Sequence, residues 1–356
     1  MYRAFKKTME DNIVTIKDIA KALGVSVSTV SRALKDSPSI SQERKKQIQD
    51  YAKQHRYKPN ILASTLRSQR HARPQIIGVV VPQFTHHYFS RVLTGIEECC
   101  LASKYRIMVA QSDDSYEREK QILEAFRLSQ VKGIIISQAK DTTDYSHFEE
   151  AIKDNIPLVF YDRICTGLRT SRVVVDDYQG AFTATEHLIK TGCRNICHYS
   201  ANMNLEISKN RFNGYKDALL KYGIPYRKEM VILCDNWNDA ETITPKVISS
   251  LYPDGFFATN DDTALGILYS VKRMGMRVPE DISICGFTNG TRAISCEPQL
   301  TTVEQRGLRV GEEAAKALID QLEGRIPPGK YRNQIIKTKL IVRGTTRPVS
   351  PDIQKD

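Results

Sequence analysis

From Ile76 onward, short apolar runs of strand length alternate with amphipathic stretches of helix length, and this rhythm limits the fold more than any other feature. Runs such as IIGVVVP and GIIIS are continuously apolar, which is typical of strands buried on both faces of a parallel sheet. Strands that alternate with helices in this way form βαβ units. The rhythm comes in two series, from Ile76 to Asp162 and from Val173 to Phe287. We therefore expect two similar α/β lobes, each built on a doubly wound parallel sheet.

The carboxyl ends of the predicted strands carry polar residues and a few aromatic ones. Ligands of open α/β sheets bind beyond these ends, and such a set suits a small hydroxylated ligand held between two lobes. The residues are Tyr88, Phe89, Ser112, Asp113, Ser137, Gln138, Asp162, Arg163, Asp176, Asn260, Asp261, Thr288 and Asn289.

The segment from Thr15 to Lys35 predicts a helix-turn-helix. One apolar stripe at helical spacing comprises Ile16, Ile19, Ala20 and Leu23. Gly24 then supplies a residue that turns sharply, and Ser26 is a favourable N-cap for a second helix. The inward positions of that helix are Val30, Ala33 and Leu34, and the outward ones are Val27, Ser28, Thr29, Ser31 and Arg32. Small hydroxyl and methyl groups at an exposed helix start fit a DNA major groove, although a solvated helical hairpin has the same pattern.

A third helix is predicted from Ser41 to His55, with Ile48, Tyr51 and Ala52 facing inward and Arg44, Lys45 and Lys46 outside. The proline after Lys58 ends the helical pattern. Residues 61–66 are too few to form a stable helix alone, so we interpret them as a hinge that orders against DNA or a partner copy. The basic segment 67–74 marks the domain boundary.

The net charge of +11 is concentrated in the first part of the chain. Residues 1–73 hold 16 Lys and Arg against 6 Asp and Glu, whereas the remaining 283 residues hold 36 against 35. Such local positive charge attracts polyanions and makes their binding depend on salt. Acidic lipid is the rival partner, but no long basic amphipathic helix or lipidation signal supports it.

Several function classes find no support in the sequence. The N-terminus lacks a signal peptide and no apolar run of spanning length occurs, so we expect a cytoplasmic protein without a membrane partner. Motifs of dinucleotide, P-loop, hydrolase and zinc-protease sites are absent, so we expect no enzyme and no cofactor. Two carboxylate pairs, Asp176-Asp177 and Asp261-Asp262, are interpreted as helix caps or ligand contacts rather than catalysts. Neither Cys193 with Cys197-His198 nor His86-His87 has a spacing that favours a metal site.

Blocks along most of the chain resemble the LacI/GalR family of bacterial transcription regulators. The most specific are TIKDIAKALGVSVSTVSRAL and YKPNILASTLR, which are similar to the family's headpiece and hinge. Core blocks follow in GVVVP, YFSRVLTGIE, VVVDDYQGAFTATEHLIKTGC, RFNGYKDAL, ATNDDTALGIL, VPEDISICGF and LTTVEQ. The resemblance covers about Val14 to Pro348. It implies an all-α helix-turn-helix headpiece joined to a periplasmic-binding-protein-like core.

The resemblance implies a homodimer that reads a near-palindromic operator in double-stranded DNA. Residues matched to DNA contacts in the headpiece are Thr15, Lys17, Ser26, Val27, Ser28, Thr29, Ser31, Arg32 and Lys35. In the hinge, Leu66 matches a leucine that is inserted into the minor groove, where it kinks the duplex, and Ala63 and Arg67 lie beside it. Ser64, where arginine is usual, and Lys35, where asparagine is common, are departures that leave the operator preference open.

The resemblance also implies a small effector between the lobes, most simply a sugar or sugar derivative. The matched ligand contacts are Tyr88, Phe89, Asp162, Arg211, Trp237, Asn260, Thr288 and Gln305. The single tryptophan, Trp237, lies in a polar run, where stacking on a sugar ring or packing at the rim would explain it. Thr288 is a departure, since many members carry aspartate there, and a sugar phosphate, uronic acid or oligosaccharide remains open.

The implied domains are a headpiece at 13–59, a hinge and linker at 60–74 and a core at 75–348. Within the core, lobe 1 is expected at about 75–174 and 304–333, and lobe 2 at about 175–303 and 334–348. The chain is expected to cross between lobes near Val174, Val303 and Gln334, with the helix Leu308 to Leu322 in the first lobe and the final strand in the second.

The leading hypothesis is a transcriptional regulator, more specifically a repressor, whose operator affinity depends on this ligand. A solute-binding protein without DNA function is an alternative, but it gives no reason for the basic N-terminal segment. A regulator that responds to a non-sugar ligand such as a purine is a second alternative.

Overall fold

The computed structural model describes residues 14–55, 57 and 75–349. Contacts divide the chain into two units, residues 1–73 and 74–356. The predicted hinge contacts Ala63, Leu66 and Arg67 lie outside the described residues. No helix of the described ranges is both long and apolar enough to cross a membrane.

The first unit contains the predicted helix-turn-helix and third helix, which we call the headpiece. Its helices are α1 (Ile16–Ala22), α2 (Val27–Leu34) and α3 (Gln42–Gln54). Gly24 has a φ of +60° at the end of α1, and the Val25 N–H donates to the Ala20 carbonyl at 3.0 Å. This geometry is a Schellman-type helix end, which favours glycine because of its positive φ. The turn between α1 and α2 is therefore determined locally.

The headpiece core is small and comes from all three helices. Its fully buried side chains include Ile19, Val30, Ala33 and Ile48. The prediction that Lys45 faces outward is wrong, because its Nζ lies 3.0 Å from an Asp36 carboxylate oxygen and the side chain is only 7% exposed. Asp36 follows α2 with a φ of +54°. An ion pair between α3 and this turn thus replaces solvation of the lysine.

Lobe 1 of the second unit combines its first strands and helices with one helix and one strand from near its end. Its strands are β1 (Ile76–Val81), β2 (Arg106–Gln111), β3 (Gly133–Ile136), β4 (Leu158–Tyr161), β5 (Ser171–Val175) and β11 (Asn333–Ile336). They form one parallel sheet in the order β11-β5-β4-β3-β1-β2. Its helices are α4 (His87–Ala102), α5 (Tyr116–Leu128), α6 (Ser146–Lys153) and α12 (Gly307–Leu322). Separate apolar clusters under α4 and α12 and under α5 and α6 cover both faces of the sheet.

Lobe 2 repeats this arrangement. Its strands are β6 (Ile196–Ser200), β7 (Val231–Leu233), β8 (Gly255–Ala258), β9 (Ser283–Thr288), β10 (Thr301–Glu304) and β12 (Lys339–Ile341). The order is β12-β10-β9-β8-β6-β7, parallel except for the antiparallel edge strand β12. Its helices are α7 (Asp177–Lys190), α8 (Glu206–Lys221), α9 (Trp237–Leu251), α10 (Asp261–Arg273) and the short α11 (Thr291–Ser295). The predicted class, a helical headpiece with two α/β lobes, is confirmed.

One strand lies in a different lobe from the one expected. Although the run from Val173 opens the second series, β5 belongs to the lobe 1 sheet, as the expected boundary near Val174 implies, and pairs there with β4 and β11. Residues 334–336, expected in lobe 2, pair there with Val173, Val174 and Val175. The chain therefore crosses after Val175, after Glu304 and after Ile336. An apolar strand fits either sheet, and only its pairing partners decide.

Lobe 1 depends on a close approach of two helices. A Cβ on Gly311 of α12 would lie 2.0 Å from the Val92 carbonyl oxygen of α4, and one on Gly95 of α4 would lie 2.1 Å from the Leu308 carbonyl oxygen. Each glycine thus admits the backbone of the facing helix. Since protein interiors are closely packed, a side chain at either position would separate these helices.

Candidate ligand-binding cavity and DNA-binding surface

The start of α2 is an ordered cluster of hydroxyl groups. The Ser26 Oγ accepts a hydrogen bond from the Thr29 N–H at 3.1 Å and so caps the helix as predicted. The Ser28 and Thr29 hydroxyls each lie 2.8 Å from the same Ser26 oxygen. These groups hold one another in place at the end of a helix, where the partial positive charge favours anions.

The remaining residues matched to DNA contacts in the headpiece lie on or near the two helices. Lys17, Arg32 and Lys35 are exposed, whereas Val27 and Ser31 are half-buried. Thr15 caps α1 and donates its hydroxyl to the Asp18 carboxylate at 2.6 Å. The Thr15 hydroxyl thus already has an internal partner.

A cavity of about 360 Å³ lies between the carboxyl edges of the two sheets. It takes in all eight residues that the resemblance matched to ligand contacts: Tyr88, Phe89, Asp162, Arg211, Trp237, Asn260, Thr288 and Gln305. The volume falls in the range of small-molecule sites. The lining also includes charged residues from both lobes that are discussed below.

The topology explains why these residues meet. Asp162 directly follows β4, Thr288 ends β9 and Gln305 follows β10. Asn260 caps α10 by accepting from the Thr263 N–H at 2.8 Å, and Trp237 is the first residue of α9. Parallel strands bring their carboxyl ends to one edge, so residues far apart in sequence converge on one cavity.

Arg211 is the best-anchored cation of the lining. Its Nε and Nη2 donate to the same Asp177 carboxylate oxygen at 2.8 and 2.7 Å. Its Nη1 donates to the Thr259 carbonyl at 2.6 Å, and the guanidinium lies 3.9 Å from the centre of the Phe287 ring. A guanidinium has five N–H donors, so donors remain for a ligand while the group itself is fixed.

Asp162 is a buried anion of the lining without a close cation. Burial raises its pKa, and the charges of Arg163 and Arg211 lower it again. The nearest of these cations is still 3.9 Å away, at the Arg163 Nε. Asp162 has a φ of +57°, a conformation that costs energy for an aspartate. Burial and the Asp162 charge also raise the pKa of Tyr88 well above its usual range, so this phenol remains a hydroxyl.

Trp237 packs and lines the cavity at once. Its ring centre lies 5.8 Å from that of Tyr269, and its Nε1 donates to Glu241 at 3.3 Å. The side chain also packs on the apolar core of lobe 2. Rim packing, one of the two explanations of this residue, is therefore observed, and stacking on a sugar ring stays a prediction.

The sequence analysis named Asp262 as a cap or ligand contact but missed other charged residues of the lining, among them Asp114, Lys140, Asp235 and Arg292. Asp114 follows β2, but the neighbouring Asp113 was the residue named for that strand end. Asp235 follows β7 and was detectable by the same strand-end rule. Lys140 and Arg292 lie farther from the strand ends, so no sequence pattern marked them as lining residues.

The carboxylate pairs have separate structural partners. Asp176 caps α7 by accepting from the Gln179 N–H at 3.0 Å, and Asp177 binds Arg211. Asp261 accepts from the Gly290 N–H at 2.7 Å, and burial raises its pKa to about 6. Asp262 lies 3.2 Å from Arg292 at the cavity. The two carboxylates of each pair thus have different partners. Of the four, Asp176 is the one that caps a helix as expected.

Of the residues considered for a metal site, Cys193, Cys197 and His198 are buried, and His86 and His87 are half-buried. The Cys197 thiol donates to the Met230 carbonyl at 3.1 Å, and Cys193 lies 3.5 Å from the Asp254 carbonyl. Burial lowers the pKa of His198 to about 4. Within the described residues no group of three or more candidate ligands is arranged around a common point.

Comparison with known proteins agrees with this architecture. Residues 15–60 match the family described as bacterial regulatory proteins, lacI family, and residues 185–346 match the periplasmic binding protein-like domain. The chain is 30% identical over 337 residues to the ribose operon repressor of Halalkalibacterium halodurans, covering 94% of this chain and 98% of that protein. It is 30% identical over 308 residues to catabolite control protein A of Priestia megaterium, covering 86% and 91%.

Solved structures agree with the fold. The lac repressor dimer bound to operator and the anti-inducer ONPF has a TM-score of 0.79 at 22% identity, covering 94% of this chain and 99% of that one. A LacI family regulator from Enterococcus faecium with bound ribose has a TM-score of 0.68 at 27% identity, covering 77% and 100%. Transcriptional regulators of this family are not enzymes, and the family match therefore confirms the expectation that this protein is not one. The chain belongs to the lacI family of bacterial regulatory proteins and is a ligand-regulated, DNA-binding transcriptional repressor.

Proposed function

We propose that this repressor binds a near-palindromic operator as a homodimer, and that an uncharged polyhydroxylated molecule, of the sugar class, binds in the cavity and controls operator affinity. The α2 surface carries the first half of this proposal. The charge balance and hydrogen bonding of the cavity carry the second half.

The surface of α2 supports sequence reading in the major groove. Arg32 is exposed in the last turn of the helix and has no carboxylate within salt-bridge distance among the described residues. A free guanidinium can donate two hydrogen bonds to guanine O6 and N7. Val27 at the helix start offers methyl groups for contact with the thymine methyl. The hydroxyl groups of Ser26 and Thr29 are suited to donate hydrogen bonds to the phosphates of the DNA backbone.

A selection experiment with full-length protein tests this half. Duplexes are selected from a random library, and binding to the selected and a scrambled duplex is measured against salt concentration. Arg32→Ala should reduce the preference for the selected duplex by about 5- to 150-fold, because one bidentate base contact contributes about 1–3 kcal/mol. Arg44→Ala is the matched control, since Arg44 is an exposed arginine of α3. It should weaken both duplexes equally. Equal losses of preference in the two variants would contradict a base-reading role for Arg32.

The ion pairs of the cavity favour an uncharged ligand. Four cations line it, and each has a protein carboxylate as partner: Lys140 with Asp235, Arg163 with Asp114, Arg211 with Asp177 and Arg292 with Asp262. A phosphate or carboxylate ligand requires an available cation. Asp162, in contrast, is buried with incomplete compensation, so it favours hydroxyl donors. Hydroxyl groups of a sugar match the free Arg211 donors and the Asp162 acceptor together.

A thermal-unfolding screen tests the ligand class. Neutral mono- and disaccharides, nucleosides, sugar phosphates and sugar acids are compared, because a ligand at 100 times its Kd adds about 2.7 kcal/mol to native stability. We expect stabilisation by a neutral polyhydroxylated compound, lost in Asp162→Asn and retained in Asp281→Asn, a half-buried control that does not line the cavity. Stabilisation by sugar phosphates or sugar acids alone would refute the proposed class. The ligand so found is then added to the selected duplex complex, where it must change operator affinity.

A further inference from the structure

A single ion pair joins the two lobes across the mouth of the cavity. The Lys140 Nζ lies 2.7 Å from an Asp235 carboxylate oxygen. Lys140 follows β3 in lobe 1, and Asp235 follows β7 in lobe 2. Of all ion pairs among residues 75–349, this is the one whose partners belong to different lobes. We propose that Lys140 and Asp235 form a latch that holds the two lobes closed over the cavity.

On the lobe 1 side, Lys140 lies next to a second carboxylate, which is itself held by an arginine. Lys140 also lies 3.9 Å from Asp114, and Asp114 forms an ion pair with Arg163. The lysine is thus placed between two carboxylates, one from each lobe. Because the Arg163 partner holds Asp114 in lobe 1, the contact that opening of the lobes would break is the one to Asp235.

The loop that carries Lys140 is itself fixed by a buried carboxylate. Glu119 of α5 is fully buried and accepts three hydrogen bonds. The donors are the Ala139 N–H and the Thr142 hydroxyl, each at 2.7 Å, and the His147 Nε2 at 2.9 Å. These donors flank Lys140 on both sides along the chain. Glu119 is therefore a positioning residue, because its hydrogen bonds hold the loop in the conformation in which Lys140 contacts Asp235 of lobe 2.

The lobe 2 side connects the latch to the cavity wall. The Asp235 carbonyl accepts from the Asn260 Nδ2 at 2.8 Å. The next residue, Asn236, caps α9 by accepting from the Asp239 N–H at 2.9 Å, and α9 begins with Trp237. Release of Asp235 from Lys140 therefore acts on the segment that holds Asn260 and Trp237 in place.

The latch is strong enough to shift an equilibrium between open and closed lobes and weak enough to be released. The two side chains are 35% and 23% exposed, so water and salt reduce their attraction. Exposed pairs of this kind change an equilibrium by about two- to fivefold. At about 1 M salt the screening length falls to about 3 Å, so the latch should be largely released. The inference concerns lobe closure and requires no particular ligand.

The single tryptophan provides the test, because intrinsic fluorescence reports on Trp237 alone. Acrylamide quenching is measured on full-length protein at low and high NaCl concentration, with no ligand added. Lys140→Met should raise the quenching constant at low salt to the value that wild type reaches at about 1 M NaCl and remove most of its salt dependence, whereas Lys140→Arg should retain wild-type behaviour. Lys153→Met is the control for the lost charge, since Lys153 pairs with Glu149 on the surface of α6.

Hydrogen exchange on the same variants separates a latch from a local structural role. A latch predicts faster exchange in Lys140→Met at residues 86–89 of lobe 1 and at residues 259–262 of lobe 2. If faster exchange is confined to residues 137–142, or if Lys140→Met and Lys153→Met have the same quenching constant, the proposal is overturned. These measurements fail or succeed independently of the ligand screen, so failure of either proposal leaves the other one open to its own test.

Discussion

Arg211→Met tests the electrostatics of the cavity most directly. Arg211 donates twice to Asp177 and once to the Thr259 carbonyl at distances of 2.6–2.8 Å. Methionine has a similar length and no charge. The variant therefore leaves a buried carboxylate and a buried carbonyl without their partner, and the two losses respond differently to pH.

The Asp177 part of the cost depends on pH. Burial raises the pKa of Asp177 to about 6, although Arg211 lowers it, so the pKa is higher still in the variant. Relative to an unfolded pKa of about 3.9, this group costs wild type about 3 kcal/mol at about pH 7.5. A carboxyl that stays protonated costs about 5 kcal/mol there. A raised folded pKa gives stability that is present at low pH and lost as pH rises, so the difference of about 2 kcal/mol vanishes near pH 5.

The Thr259 part does not depend on pH, since a carbonyl does not titrate. A buried acceptor left without a donor costs about 1–3 kcal/mol. The expected total is thus about 3–5 kcal/mol at about pH 7.5 and about 1–3 kcal/mol at about pH 5. The higher value agrees with the general cost of breaking a buried ion pair.

Urea denaturation followed by Trp237 fluorescence measures this difference, because the single tryptophan reports on the unit that contains Arg211. Arg277→Met is the matched control. Arg277 is 70% exposed and pairs with Asp281 at 2.7 Å, so its loss should cost much less free energy than the loss of Arg211 does at about pH 7.5, and equally at both pH values. If Arg211→Met costs the same free energy at both pH values, Asp177 does not titrate as argued and the reasoning is refuted.

Three further substitutions test local features of the fold. Ser26→Ala removes the cap of α2 and should cost about 1 kcal/mol, so hydrogen exchange at residues 27–34 should become about fivefold faster; unchanged exchange would contradict the cap. Gly311→Ala places a methyl group 2.0 Å from a backbone oxygen and should cost about 1–3 kcal/mol in urea denaturation. Gly167→Ala, whose nearest contact is 3.8 Å away, should be nearly neutral, and equal costs would argue against close helix packing. Asp261→Asn removes a carboxyl whose pKa burial raises to about 6. Its unfolding free energy relative to wild type should therefore improve by about 2 kcal/mol from about pH 4 to about pH 7, and a constant difference would exclude this titration.

Features with local causes could be predicted from the sequence. The helix-turn-helix depends on the positive φ of Gly24 and the side-chain cap of Ser26, which involve residues at most a few positions apart. The strands of both lobes were predictable from their apolar runs, since only strands covered on two faces tolerate such runs. The convergence of strand ends on one cavity then followed from parallel topology.

The sequence analysis did not predict the helix α9, because a proline in its interior disfavours a helix. Pro245 lies inside it, and proline removes the N–H that would bind the carbonyl of Glu241. The Ser270 hydroxyl of the neighbouring α10 donates to that carbonyl at 3.3 Å instead. A residue distant in sequence thus satisfies the group that proline leaves free.

Three features could be predicted without the fold: the order of headpiece and lobes, the helix caps, and the residue types that face the cavity. These depend on short-range geometry and on the burial of apolar surface, both of which leave periodic patterns. Three features emerged only from the folded chain: the place of β11 in lobe 1, the burial of Lys45 against Asp36, and the contact between Lys140 and Asp235. Electrostatic pairing varies with distance, and distances between residues far apart in sequence exist only once the chain is folded.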